Sequence, residues 1–401
     1  MKLKVGVIFG GKTCEHDVSI ISGLQAAQAL DPNSYEVTVI YITREGDWFV
    51  GDALKEVRFY KAFDRSKVTK VVPEGYGGKL RLLTLAQKSG FLSRLSGGDG
   101  EEAHVLHELD VVMPVMHGVN GEDGTLQGLL EMFDVPYTSA GVMGCAVGMD
   151  KITMKQLFMG CGFPVVPGAW FTRDRWSQAR EAVLDEMEAK LPYPMFVKPA
   201  NLGSSIGISR ADDRAGLEEA IDTACAYDRR ILVEKGIEEL REVNCAVLGY
   251  GGEVRSSALE MPLSSGEFLD FQDKYLRGGK GKNGMQALAR RIPAPIGDEL
   301  TAKVKALAEQ IFQAMDLKGC VRIDFIITKD DQLFVNEANI IPGSLAFYLW
   351  EAEGMKFSEL LDKMIEYALK ANADRRHSVF SYDSSILSRI AGGTKGGKLH
   401  K

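Results

Sequence analysis

VRIDFIITKDDQLFVNEANIIPG (residues 321–343) alternates apolar and polar side chains in two short runs about a polar Lys329-Asp330-Asp331 turn, the pattern of an antiparallel hairpin. On the second strand Glu337 and Asn339 are two residues apart and share a face, and Asp324 on the first can lie opposite them. Two carboxylates and an amide oxygen on one sheet face make a hard-oxygen site suited to Mg²⁺, which binds through a few carboxylates plus substrate phosphates. Arg322 shares the face with Asp324, where a cation could stabilise a developing oxyanion or phosphoryl group. The bland alternative is a solvated hairpin edge with an Arg322–Asp324 ion pair.

Working outward, the block 237–372 around this hairpin predicts strands over 242–249, 254–262, 320–328 and 332–338, with helices over 297–315, 343–353 and 357–370. Its polar stretch 264–286, rich in Gly, Lys and Ser, reads as a functional lid or a disordered segment, with its flanks favouring the lid. A central block, 146–236, predicts helices over 150–160, 174–190 and 213–225 and strands over 165–171, 194–198, 206–210 and 230–235. In residues 1–145, β-branched runs at 3–9, 37–43 and 109–116 alternate with helices at 18–30 and 123–133, which argues for a parallel sheet with helices on both faces. The stretch 52–107, with Gly and Ser clusters at 75–78 and 96–100, is expected to be an irregular insertion. Residues 373–401 are set aside as a tail ending in the basic AGGTKGGKLHK.

Three further segments could meet a ligand. FVKPANLGSSIGIS (196–209) is a strand bearing Lys198 followed by a Gly/Ser turn whose N–H groups could cradle phosphate oxygens at Ser204 and Ser205; it could equally be an ordinary hairpin. It is no Walker A loop, because neither Gly-Lys-Ser/Thr nor a helix follows. ILVEKGI (231–237) delivers Glu234 and Lys235 to a strand end whose edge backbone could hydrogen-bond an adenine, or could be a plain strand end. In FGGKTCEHDVSI (9–20), Glu15 and His16 precede a helix at the carboxyl end of a parallel strand, a favoured ligand position. Helix capping would account for Glu15 and Asp17 as well. His117, in HGVNGEDG (117–124), sits in the equivalent place after another strand and could face the same crevice or be a turn histidine.

With 401 residues, 45% hydrophobic and 26% charged, the chain can bury the cores of two or three domains. A formal net charge of −7 offers no general attraction to nucleic acid or anionic lipid, so an anionic substrate must be held by local cations. Six scattered cysteines, without a Cys-x-x-Cys pair, suit buried thiols in a reducing cytoplasm rather than a zinc site. The opening MKLKVGVIFGG reads as a first strand rather than a signal peptide, and no 18-residue apolar stretch predicts a spanning helix.

Taken together, EHDVS (15–19), HGVNGEDG (117–124), MDKITMK (149–155), KPANLGSSIG (198–207), VEK (233–235), DKY (273–275), RID (322–324) and NEANIIPGS (336–344) occur in the order found in the D-alanine:D-alanine ligase family of the ATP-grasp superfamily, which the chain resembles over residues 3 to 370. The resemblance implies an α/β, three-domain ATP-grasp fold with ATP between the central and carboxyl-terminal domains. It also implies a cytoplasmic, homodimeric enzyme of peptidoglycan precursor synthesis, in which ATP phosphorylates the carboxylate of one D-alanine and the amine of a second attacks the acyl phosphate. Carried over by motif, Lys151 and Lys198 contact the ATP phosphates with Ser204 and Ser205. Glu234, Lys235 and Ile237 line the adenine pocket, and Glu242 holds the ribose, with Glu239 the competing position. Asp324, Glu337 and Asn339 bind two Mg²⁺ ions, for which Mn²⁺ could substitute. Arg322 and the Gly343 N–H form the oxyanion hole. Glu15, linked to Ser204 and Tyr275, binds the first ammonium, His117 faces the same crevice, and Lys274 reaches the transferred phosphate from the lid. The family's Thr-x-Pro-Gly and a later Ser that helps hold the second substrate are replaced here by Ile-Ile-Pro-Gly and Tyr348. Ser344 or Tyr348 is then the candidate for that contact, and D-lactate, D-serine or another amino acid is the alternative acceptor. Tyr275 in the lid favours an amine. A non-catalytic nucleotide-binding regulator would not need the full set of charged groups.

Overall fold

Three β-sheets organise the chain in the computed structural model, which describes residues 2–87, 101–263 and 290–381. β1 (Leu3–Gly10) is buried from Val5 onward, as befits a strand covered on both faces. It lies between two parallel neighbours, β2 (Tyr35–Ile42) and β7 (Val111–Pro114). α1 (His16–Ala29) packs Ile20 and Leu24 with Val5, Val7 and Phe9, whereas α2 (Thr125–Met132) packs Leu126 and Leu130 with Ile8 and Ile40. The expected parallel core with helices on both faces is therefore present.

The stretch 52–107 is not an irregular insertion. After β3 (Trp48–Val50) and three short 3-10 turns, it forms β4 (Thr69–Tyr76), β5 (Lys79–Gln87) and β6 (Glu101–Leu109). This antiparallel meander extends the sheet to seven strands in the order β6-β5-β4-β3-β2-β1-β7. Pro73 and Gly75 inside β4 weaken its strand signal. Gly77 and Gly78, at φ 59° and 75°, make the tight turn that the glycine cluster marked.

α3 (Val142–Met149) and α4 (Lys151–Gly160) lead into the second sheet. Its strands are β8 (Gly168–Thr172), β9 (Met195–Pro199), β10 (Ser209–Ala211) and β11 (Arg230–Lys235), in the antiparallel order β10-β9-β11-β8. The helix expected over 174–190 breaks at Ala179 into α5 (Arg173–Gln178) and α6 (Arg180–Lys190). With α7 (Arg214–Tyr227) they bury Trp176, Val183, Leu217 and Ile221 against Phe171, Val197 and Val233. Strand alternation then sends Lys198 and Glu234 to the opposite face.

The third sheet contains β12 (Arg241–Tyr250), β13 (Glu253–Pro262), β14 (Arg290–Arg291), β15 (Gly319–Ile327) and β16 (Leu333–Asn339), ordered β14-β13-β12-β15-β16. α8 (Asp298–Ala314), α9 (Phe347–Glu351) and α10 (Phe357–Arg376) cover one face through Val304, Ile311, Leu349 and Leu361. That core is continuous with the one beneath β1, so Phe9 and Leu24 belong to the same buried cluster as Ile323 and Phe325. Among the described residues no helix is long and apolar enough to cross a membrane.

Candidate active site

The polar face of the third sheet carries a row of side chains set by strand register. Glu260 on β13 pairs with Asn244 on β12, Asn244 with Asp324 on β15, and Asp324 with Glu337 on β16. One step along, Arg322 pairs with Asn339. The hairpin reading thus brings Arg322, Asp324, Glu337 and Asn339 together. A β-bulge opposite Asp324/Phe325 adds Asn336 to the same lining while Val335 stays in the core. Arg322 gives Nε and Nη2 to the two oxygens of Asp324, both at 2.7 Å, and Asn339 Nδ2 donates to Asp324 Oδ2 at 2.8 Å. Lys151 Nζ lies 3.2 Å from Glu337 Oε2.

These groups line a cavity of about 210 Å³ between the three sheets. Among the described residues no cluster of three or more His, Cys, Asp or Glu could hold a metal. The oxygen set is two carboxylates plus the amide of Asn339, each carboxylate already facing a cation. That donor set fits a hard divalent ion that completes its shell with water and substrate phosphate.

The nucleotide side is built on α4 and the second sheet. Asp150 caps α4 by accepting from Thr153 N at 2.8 Å, which points Lys151 into the cavity, where Nζ also donates to Leu202 O at 2.8 Å. Lys198 Nζ lies 2.6 Å from Glu234 Oε2, and Lys155 Nζ lies 2.5 Å from Glu234 Oε1. Burial alone would raise the Glu234 carboxyl, but the two ammonium groups outweigh it and hold it at about 2. Lys155 was not singled out from sequence, although it falls one helical turn after Lys151. β11 is interior to its sheet and paired on both sides, so any free backbone in 231–237 lies at the strand end from Lys235 onward. Lys235 is exposed and Ile237 half-buried at its end, and neither is among the cavity-lining residues. Glu242 lines the cavity, and Glu239 does not.

The turn after β9 closes a hairpin and meets the first sheet. Ser204 and Ser205 take left-handed φ of 54° and 58°. Ser204 Oγ donates to Glu15 Oε1, and a Cβ on Gly203 would come within 2.7 Å of Glu15 Oε2. Glu15 is buried and makes no side-chain cap on α1, so capping does not explain it. Glu122, which sequence reasoning passed over inside HGVNGEDG, also lines the cavity. It accepts from Gly118 N at 2.6 Å and Ile341 N at 3.0 Å, and burial together with the Glu15 carboxylate pushes it up to about 8.

His117 also lines the cavity, but both ring nitrogens are engaged. Ile341 O can only accept, so Nδ1–H donates to it at 2.9 Å. Nε2 then accepts from Ser22 Oγ at 3.0 Å, and Ser22 Oγ accepts in turn from Ser344 N at 3.0 Å. This chain of bonds fixes the segment after β16, where Ser344, Leu345 and Ala346 adopt φ of 48°, 53° and 51°. Such left-handed residues cost roughly 1–2 kcal/mol each, offset here by complete burial and these bonds. Gly343 opens the turn at the cavity wall. Ser344 itself is fully buried and donates to Gln25 Oε1 at 2.6 Å. Of the two candidates for the second substrate's contact, only Tyr348 lines the cavity. Lys274 and Tyr275, with the expected lid 264–286, lie outside the described residues.

The comparisons agree with this geometry. A family model for the D-ala D-ala ligase N-terminus matches residues 4–140, and one for the D-ala D-ala ligase C-terminus matches residues 157–366. The D-alanine--D-alanine ligase of Thermosipho africanus is 36% identical over 96% of this chain and 98% of its own length. That of Bacillus cytotoxicus is 36% identical over 94% and 98%. Among solved structures, the D-alanine-D-alanine ligase from Coxiella burnetii superposes with a TM-score of 0.72 at 26% identity, covering 98% of this chain and 99% of that one. The VanG D-Ala:D-Ser ligase from Enterococcus faecalis gives 0.74 at 29% identity, covering 92% and 100%. Full-length similarity and a charged cleft on an ATP-grasp framework lead to one assignment: the chain belongs to the D-alanine–D-alanine ligase family.

Proposed function

We propose that the chain joins two D-alanines at the expense of ATP for peptidoglycan precursor synthesis, and that the row Arg322, Asp324, Glu337 and Asn339 is its reaction centre. The observation that carries this reading is the doubly bonded Arg322–Asp324 pair in register with Glu337, facing Lys151 across one cavity. Donor D-alanine binds with its ammonium on Glu15, which Ser204 orients. Its carboxylate oxygen attacks the γ-phosphorus, the bond to ADP breaks, and an acyl phosphate forms. The neutral amine of the second D-alanine attacks the acyl carbon, the tetrahedral oxyanion is met by Arg322 and the Gly343 N–H, and phosphate departs. Lys151, Lys198, Ser204 and Ser205 hold the ATP phosphates, the segment from Glu234 to Ile237 borders the adenine, and Glu242 takes the ribose. Asp324, Glu337 and Asn339 would hold two Mg²⁺ ions, which supply charge neutralisation on the transferring phosphoryl group. The three blocks 1–145, 146–236 and 237–372 act as domains, and the protein works as a cytoplasmic homodimer.

Acceptor choice tests this reading. In an equimolar mixture of D-alanine, D-serine and D-lactate with ATP and Mg²⁺, the dominant product by mass is D-alanyl-D-alanine. A depsipeptide or D-alanyl-D-serine as the main product would overturn it.

A further inference from the structure

Beyond Arg322, the cavity wall is completed by a cluster of which the sequence reading singled out only Tyr348. Arg290 on β14 is a cavity-lining residue whose side chain is 12% exposed. Its guanidinium carbon lies 4.1 Å from the centre of the Tyr348 ring, and Nη1 is 3.2 Å from Glu260 Oε1. Glu260 is buried and accepts from Tyr348 Oη at 2.9 Å and from Asn244 Nδ2 at 3.3 Å. The single Tyr348 hydroxyl proton is therefore directed to Glu260 rather than into the cavity. The ring beneath and the carboxylate beside it set the plane of the Arg290 guanidinium. A guanidinium presents its N–H donors in a flat fork, and that fork matches a carboxylate.

Resting on the ligase reading above, we propose that Arg290 binds the carboxylate of the acceptor amino acid, with Tyr348 and Glu260 as positioning residues that hold its guanidinium at the cavity wall. Arg290 and Tyr348 thus act as a pair: a cation supplies the contact that a side-chain hydroxyl at position 348 would otherwise make. Arg290 lies against the Tyr348 ring at the cavity wall, where the acceptor would enter.

The test compares wild type, Arg290→Ala and Arg290→Lys with two acceptors, D-alanine and D-alaninamide, the second lacking the carboxylate. Arg290→Ala raises KM for acceptor D-alanine about tenfold or more, the size of a lost charge-assisted contact. Its KM for D-alaninamide stays near the wild-type value. Arg290→Lys, which keeps the charge without the fork, falls between the two. An equal loss with both acceptors would mean a merely structural role, and an unchanged acceptor KM would mean no contact; either overturns the inference while the ligase reading stands. Wild type that cleaves ATP with D-alanine yet makes no dipeptide would overturn the ligase reading and the inference with it. Should Arg290→Ala fail to fold, Arg290→Lys with the same two acceptors decides by the same comparison.

Discussion

Glu337→Gln is expected to lower D-alanine-dependent phosphate release by about 10³-fold or more, because several kcal/mol of charge stabilisation vanish with the carboxylate. Glu337 stands in register with Asp324, and its oxygen faces Lys151 at 3.2 Å. The amide keeps the shape of the side chain but neither its charge nor its affinity for a hard cation. The Glu337 side chain is 27% exposed, and Lys151 keeps its hydrogen bond to Leu202 O, so the melting temperature should stay near that of wild type. Steady-state kinetics and a thermal melt on the same preparation check both halves. Turnover within about tenfold of wild type would remove Glu337 from the reaction centre.

Glu234→Ala is expected to damage stability rather than chemistry alone. The Glu234 side chain is 3% exposed and sits between Lys155 at 7% and Lys198 at 13%. Removing the shared carboxylate leaves two ammonium groups facing each other in a dry environment, and breaking a buried pair in this way costs about 3–5 kcal/mol. The pH dependence has a definite sign. A carboxyl held at about 2 in the folded chain and near its ordinary value in the unfolded chain adds stability above the ordinary value, and that stability drains away as pH falls toward 2. Urea midpoints should therefore separate wild type from Glu234→Ala at pH 7 and converge on acidification. A constant gap across that window would show that the loss comes from packing and not from charge.

The hairpin at 321–343 was legible because strand alternation and a polar turn fix both register and face. That Arg322 shares a face with Asp324, and Glu337 with Asn339, follows from counting in twos, whereas Asp324 comes opposite Glu337 through the β-bulge beside Phe325, which counting does not give. Glu260 and Asn244 belong to the same row but come from strands separated from it by some sixty or more residues of chain, and one sequence does not state which strands pair. Arg290 was hidden for a related reason: it borders a polar stretch read only as a lid, and its partners Tyr348 and Glu260 meet it only through tertiary structure. The meander of β4 to β6 escaped because Pro73, Gly75 and the paired glycines at 77 and 78 read as breakers, although they mark a hairpin's turn and an irregular strand. His117 shows the converse limit. Its place after a strand was readable, but Ser22 and Ile341, which occupy its two nitrogens, lie 95 and 224 residues away in the chain.

In the proposed reaction the donor carboxylate is activated by phosphorylation at Arg322, Asp324, Glu337 and Asn339. D-Alanine labelled with ¹⁸O in its carboxylate, incubated with ATP, Mg²⁺ and the full chain, tests it most directly by mass analysis of both products. D-Alanyl-D-alanine is expected together with inorganic phosphate that carries one labelled oxygen, because the carboxylate oxygen that attacks phosphorus leaves with it. Unlabelled phosphate, or labelled D-alanine recovered without dipeptide while ATP is consumed, would contradict it.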